Sequence, residues 1–120
     1  MGEKALRIYV AGPLTSSGDT AMNVRRALEA GNQLMLLGYW PYVPHLTHFW
    51  HFAFPDTSSH EGSKWMALDK AWLAVCDAML VLPGQSTGVE SEKVWALEMR
   101  IPIFDSVKEI HEWAKGEGDG

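Results

Sequence analysis

A glycine- and serine-rich turn at residues 83–88 stands between two segments with regular patterns. The apolar run at residues 78–82 predicts a buried strand, and residues 90–99 predict a helix. Free amides at the start of such a helix favour an anion nearby, and Ser86 or Thr87 could either cap the helix or bind a phosphate group. The turn is therefore a candidate site for an anionic ligand.

Carboxylates near this turn could do acid–base or nucleophilic chemistry. Glu90 and Glu92 lie two residues apart, so they cannot share a helix face, and at most one of them points into a crevice. A glutamate at this place can also serve only to compensate the helix dipole. In the preceding predicted helix, Asp77 suits a structural role at the turn into the strand, which makes Asp69 the better candidate. A mid-helix aspartate can equally lie on a solvated face.

A second loop, at residues 11–18, has the composition of a ligand-binding turn. Gly12 would let the backbone approach a ligand, and the hydroxyls of Thr15, Ser16 and Ser17 could donate to a phosphate or a sugar. The loop matches neither the Walker pattern nor the dinucleotide-binding fingerprint. Turns of this composition are common, so the loop alone does not identify a ligand.

The elements that must position these residues alternate between strand and helix. The predicted strands are residues 6–11, 39–43, 78–82 and 101–104, and the predicted helices are residues 21–37, 64–75, 90–99 and 107–113. This alternation predicts a small flavodoxin/Rossmann-like α/β three-layer sandwich with a mainly parallel sheet of four or five strands. Ligands of such sheets bind beyond the carboxyl ends of the strands. We expect one domain at residues 1–115 and a disordered tail at residues 116–120, which has no apolar anchor.

Residues 45–63 show no persistent period and predict a long loop with unusual chemistry. The segment contains the aromatic residues Phe49, Trp50, Phe52 and Phe54 and the histidines His45, His48, His51 and His60. Loops of this length are commonly lids or binding loops, although the aromatic residues could equally dock the loop on the body. The histidines lack compact ligand spacing, so we expect no metal site.

Composition limits the classes of partner. A net charge of -5 leaves no basic surplus for polymeric nucleic acid, whereas backbone amides can hold the phosphate of one nucleotide. No apolar run is long enough for a membrane span, and the N-terminus leads directly into a strand-like segment rather than a signal peptide. The single cysteine, Cys76, cannot form an internal disulfide. We expect a cytoplasmic protein.

Together these motifs resemble the nucleoside 2-deoxyribosyltransferase superfamily, which includes the 2'-deoxynucleoside 5'-phosphate N-hydrolases. The resemblance covers residues 6–104 and is carried by residues 8–13, 38–39, 44–45, 69–77, 86–92 and 101–102. It implies an enzyme that cleaves the N-glycosidic bond of a (2'-deoxy)nucleoside 5'-monophosphate through a glutamyl-glycosyl intermediate, without a cofactor. The alternatives are a nucleoside 2-deoxyribosyltransferase that exchanges bases and a non-catalytic nucleotide-binding module.

The resemblance also implies roles for individual residues. The family's nucleophile is the glutamate four residues after the loop glycine, and counting from Gly88 places this role on Glu92. Asp69 corresponds to the second carboxylate, which assists protonation or positions the leaving base. Tyr9 would contact the sugar or Glu92, and Ser86 would contact the 5'-phosphate.

Further substrate contacts and an assembly follow from the same reasoning. The residues predicted to bind substrate are Tyr9, Gly12, Thr15, His45, Trp50, Ser86 and Gly88. We expect the segment at residues 45–63 to form a lid, with aromatic rings stacking on the nucleobase and His45 or His48 donating to its edge. Members of the family are dimers or larger, so we expect a homodimer or higher homo-oligomer. Part of its interface would be formed by some of Trp40, Trp65, Trp72, Trp95 and Trp113.

Overall fold

The computed structural model describes residues 5–15, 19–58, 63–84 and 86–119, which form an α/β fold around a four-stranded, all-parallel sheet. The strands are β1 (Arg7–Ala11), β2 (Trp40–Tyr42), β3 (Ala78–Val81) and β4 (Ile103–Phe104). They lie in the order β2-β1-β3-β4 across the sheet. This is the order of a flavodoxin-like sheet without its fifth strand.

Helices cover both faces of the sheet and confirm the predicted three-layer sandwich. The helices are α1 (Thr20–Leu36), α2 (Thr47–Ala53), α3 (Ser63–Leu73), α4 (Thr87–Glu98) and α5 (Val107–Asp119). Successive side chains of β1 point to opposite faces. Ile8 and Val10 pack in a core with α1 and α5, whereas Tyr9 and Ala11 pack in a second core with α3 and α4.

The sheet has a topological switch point between β1 and β3, because successive strands are added on opposite sides of β1. The chain places β2 on one side of β1 and β3 on the other. Loops that follow these strands diverge to opposite faces at such a point, and a crevice forms beyond the carboxyl ends of the strands. The topology therefore predicts a ligand site beside the ends of β1 and β3.

Two signals in the sequence explain the local geometry around β2. Gly38 has a φ of 97°, a left-handed conformation that suits glycine and ends α1 as the sequence predicts. Pro41 lies within β2, where it cannot donate a ladder hydrogen bond. The strand tolerates this proline because, among the described strands, β2 forms one edge of the sheet and pairs with β1 alone.

The prediction of a structureless loop at residues 45–63 is wrong for most of its described part. A 3₁₀ turn at Pro44–Leu46 leads into α2, and a second 3₁₀ turn occupies Pro55–Ser58. None of the side chains of α2 is buried. Apolar periodicity reports a buried helix face, so α2 gives no such signal. His60 lies outside the described residues.

The C-terminal end also differs from the prediction. Helix α5 continues to Asp119, so residues 116–119 are helical where the sequence predicts a disordered tail. Extending an existing helix gains one hydrogen bond for each residue fixed, because the unfavourable nucleation step has already been made. In the described part of the chain, no helix combines the length and the apolar character needed to cross a membrane.

Candidate active site

A cavity of about 400 Å³ opens beyond the carboxyl ends of β1, β2 and β3. Its lining includes these residues predicted for the site: Gly12, His45, Asp69, Ser86, Gly88 and Glu92. Each of the three strands contributes the loop or helix that follows it, and α3 adds a further wall. The cavity therefore lies at the place where the topology predicts a ligand site.

A tyrosine of β1, Tyr9, holds the carboxyl group of Glu92 in place. Tyr9 is fully buried, and its hydroxyl donates a hydrogen bond to Oε2 of Glu92. Burial raises the pKa of Tyr9, and the negative charge of Glu92 raises it further, so the hydroxyl keeps its hydrogen. The Tyr9–Glu92 contact is one of the two that the family resemblance implies for this tyrosine.

The environment of Glu92 favours the protonated acid. Burial raises its pKa from 4.5 to about 7, the Tyr9 hydrogen bond opposes this shift, and the charge of Asp69 adds to it. Hydrogen bonding to the carboxylate and repulsion between like charges therefore act in opposite directions. The side chain can change between acid and carboxylate near neutral pH.

Asp69 has a parallel arrangement with a second tyrosine. The Tyr42 hydroxyl donates to Oδ1 of Asp69 over 3.0 Å. Burial raises the pKa of Asp69 from 3.8 to about 6, and the hydrogen bond from Tyr42 opposes this shift. The cavity thus contains two carboxyl groups, Asp69 and Glu92, that titrate in the same range and interact electrostatically. Such a pair can supply an acid and a nucleophile at once.

His45 borders the cavity as a neutral imidazole. Only 4% of its surface is exposed, and burial lowers its pKa. Nε2 lies 3.1 Å from the carbonyl oxygen of Pro13, which can only accept, so Nε2 carries the hydrogen and donates it. Nδ1 is then an acceptor, and it has no hydrogen-bond partner among the described residues.

Close packing joins the loops that carry these residues. Gly84 has a φ of 117°, and a Cβ atom there would come within 2.6 Å of Cγ of Pro13. A Cβ atom on Gly12 would lie 3.1 Å from Cβ of Leu82. The loops after β1 and β3 thus touch through glycines, and the Pro13 carbonyl connects them to His45 after β2.

The turn before α4 fulfils one of its two predicted roles. Ser86 precedes α4 and its Oγ accepts a hydrogen bond from the Val89 amide over 3.3 Å, so Ser86 caps this helix. Ser86 and Gly88 both line the cavity. The first amides of α4 therefore lie beside the space in which a ligand would bind.

Several residues that line the cavity were not predicted for the site, although their helical spacing to Asp69 or Glu92 places them on the same helix face. Trp65 and Met66 precede Asp69 by four and three residues on α3, and Trp95 follows Glu92 by three residues on α4. Side chains at these spacings share a helix face. All three line the cavity, where they form part of its apolar wall. The sequence analysis names both tryptophans only among five candidates for a subunit interface.

Three predicted substrate contacts, Tyr9, Thr15 and Trp50, lie outside the cavity lining, and Tyr9 contacts Glu92 instead. Trp50 is 51% exposed, and its ring meets that of Trp65 with 5.1 Å between centroids. On α2, His48 and His51 are three residues apart and share the face that lines the cavity, so Trp50 points to another side. Thr15 is exposed and follows Leu14, the last lining residue of its loop. Ser16 and Ser17 lie outside the described residues.

The lining histidines show no metal-site geometry. Nδ1 of His51 accepts a hydrogen bond from Nε1 of Trp65 over 3.2 Å, which occupies one ring nitrogen. In the ranges that the structure describes, no three side chains of His, Cys, Asp or Glu lie close enough together to hold a metal ion.

Comparison of the sequence with known proteins and protein families shows the family of this chain. None of the curated proteins matches this chain closely enough to count as a relative. A family model described as "Domain of unknown function (DUF7768)" matches residues 6–106, most of the length of the chain. The chain therefore belongs to the DUF7768 family.

Proposed function

We propose that this protein cleaves the N-glycosidic bond of a (2'-deoxy)nucleoside 5'-monophosphate through a glutamyl-glycosyl intermediate and releases the free base. The observation that carries the proposal is the pair of carboxyl groups, Glu92 and Asp69, in one cavity, each fixed by a tyrosine hydroxyl. Glycosidic cleavage uses such a pair, with one member as nucleophile and the other as acid.

The reactive form of the pair has one proton, on Asp69, while Glu92 is ionised. It is the less populated of the two singly protonated forms, because the pKa of Glu92, about 7, lies above that of Asp69, about 6. In the first step, an oxygen of ionised Glu92 attacks the anomeric carbon. A C–O bond forms as the C–N bond to the base breaks, through an oxocarbenium-like transition state. Protonated Asp69 gives its proton to the departing base, which therefore leaves as a neutral molecule. Since Tyr9 donates to Oε2 of Glu92, Oε1 is the oxygen left to attack.

In the second step, water resolves the ester between the sugar and Glu92. Asp69, now ionised, accepts a proton from this water as its oxygen bonds to the anomeric carbon. The Glu92 carboxylate leaves, and both side chains return to their starting states. If a second base attacks instead of water, the same intermediate leads to base exchange.

The shape and chemistry of the cavity support a nucleotide ligand. Its volume of about 400 Å³ lies in the range of small-molecule sites. Trp65, Met66 and Trp95 offer apolar surface for a base. At the other side, the amides at the start of α4 and the Ser86 hydroxyl can donate to a 5'-phosphate. We also expect a cytoplasmic location, because a reducing compartment suits a chain with one free cysteine.

The test is a substrate panel with matched variants. Deoxynucleosides, ribonucleosides and their 5'-monophosphates are incubated with the protein, with and without an acceptor base, and free and exchanged bases are separated by chromatography. Glu92→Gln should abolish base release. Glu90→Gln is the matched control, because Glu90 is exposed and contacts Lys93 over 3.6 Å instead of the cavity.

Each result of the panel has a defined meaning. Release of base from monophosphates without an acceptor supports the proposed hydrolysis. Release only when an acceptor base is present shows transfer instead. Binding of nucleotides without turnover shows a non-catalytic module, and equal loss of activity in both glutamate variants contradicts the assignment of Glu92 as nucleophile.

A further inference from the structure

Tyr42 is placed beside Tyr9 by the register of the sheet. The two residues are direct partners on β2 and β1, and partners on neighbouring parallel strands point to the same face. Their ring centroids lie 5.6 Å apart. The ring of Trp72 stacks on Tyr42 with 5.7 Å between centroids. Rings on two sides therefore fix the Tyr42 phenol in place.

This phenol presents one hydrogen to Asp69. The Tyr42 hydroxyl donates to Oδ1 of Asp69 over 3.0 Å. Burial raises the pKa of Tyr42, and the charge of Asp69 adds to this effect, so the hydroxyl remains protonated while the carboxyl group titrates. Oδ1 is consequently occupied as an acceptor. A proton on this carboxyl group then belongs on Oδ2.

We propose that Tyr42 is a positioning residue that directs the titratable proton of Asp69 to Oδ2. Oδ2 is the oxygen left for a ligand, because Asp69 lines the cavity and Oδ1 faces Tyr42. Tyr42 does not itself line the cavity, so it acts through Asp69. The catalytic consequence rests on the proposed function: Oδ2 is the atom that gives a proton to the departing base.

The hydrogen bond can be removed without removing the ring. Tyr42→Phe keeps the contacts with Tyr9 and Trp72 but leaves the ionised form of Asp69 without its donor. The pKa of Asp69 should then rise by about one unit. A titration followed by NMR of ¹³C-labelled aspartate carboxyl groups measures this shift, and Asp69→Asn identifies the signal.

Tyr39→Phe is a matched control on the other face of the sheet. The Tyr39 hydroxyl bonds to Nδ1 of His111 over 2.5 Å, and Tyr39 packs in the core with α1 and α5. This variant also loses one tyrosine hydroxyl, but it should leave the pKa of Asp69 unchanged. An unchanged Asp69 pKa in Tyr42→Phe, or an equal shift in both variants, overturns the proposal.

Turnover gives a second readout. The optimum of a reaction that needs one proton on a pair of groups lies midway between the two macroscopic pKa values. Raising the pKa of Asp69 by about one unit should therefore move the pH optimum of base release upward by about half a unit in Tyr42→Phe. An unmoved optimum contradicts the proposal. Failure of the wild-type protein to release any base refutes the proposed function, whereas the NMR titration decides the role of Tyr42 without substrate.

Discussion

Replacing Glu92 with glutamine should stabilise the protein in a pH-dependent way. The carboxyl group is partly buried at the wall of the cavity, where its charged form is poorly solvated, and its pKa rises from 4.5 to about 7. Glutamine has nearly the same shape and can still accept the Tyr9 hydrogen bond through its carbonyl oxygen. The substitution therefore removes the charge while keeping the packing.

The direction and size of the effect follow from proton linkage. Because the folded protein holds this proton more tightly than the unfolded chain, the contribution to stability is full below about pH 4.5 and is lost as the pH rises through about 7. The complete loss corresponds to about 3 kcal/mol, of which about 2.5 kcal/mol falls between about pH 5 and about pH 8. Glu92→Gln should avoid this loss.

Urea denaturation of the wild type and the variant at both pH values measures the difference. The gap in unfolding free energy should widen in favour of Glu92→Gln at the higher pH, with unchanged dependence on urea. Glu90→Gln is the control, because it also replaces a glutamate of α4 but leaves Glu92 in place, so the pH dependence that Glu92 causes should persist. Parallel curves for wild type and Glu92→Gln would refute the argument that Glu92 is a destabilising buried charge.

Three further predictions concern activity and assembly. Base release should show a bell-shaped pH profile with its maximum between about 6 and 7, set by the two carboxyl groups, and Asp69→Asn should lose the alkaline limb in initial-rate measurements. Trp65→Ala should raise KM about tenfold, because base stacking on an aromatic ring contributes about 1–3 kcal/mol, whereas Trp50→Ala should change KM little. An unchanged KM in Trp65→Ala would show that this ring does not contact the base, and an equal rise in both variants would contradict the placement of Trp50 outside the site. Sedimentation at micromolar concentration should show a homodimer or larger assembly, and an active monomer would contradict this expectation.

The sequence predicts those strands and helices whose apolar residues recur at a regular spacing and are buried on one face or on both. Strand β1 reads as a short β-branched and aromatic run, and both cores meet on its alternating side chains. Gly38 marks the end of α1 with a left-handed backbone conformation. In contrast, α2 has exposed aromatic residues and no buried face, so no period in the sequence distinguishes it from a loop.

The candidate site also has residues that the sequence predicts and a contact that it does not predict. Placing Glu92 and Asp69 near the carboxyl ends of the strands requires only the element order and the motifs that carry the resemblance described in the sequence analysis. Trp65 could have been found from its helical spacing to Asp69. The contact of Tyr42 with Asp69 depends on which residue of β2 faces Tyr9, and this register is a property of two paired strands rather than of either segment.

The contact between Gly84 and Pro13 has a consequence for the thermodynamics of ligand binding. Gly84 lies against the Pro13 ring, and the Pro13 carbonyl binds His45, so three loop segments are joined before any ligand arrives. A ligand entering this side of the cavity need not order these loops and avoids the conformational entropy that such ordering would cost. A bulkier residue at Gly84 would push Pro13 away and separate the segments. We expect such a substitution at Gly84 to weaken the binding of every ligand by a similar factor, whichever base the ligand carries.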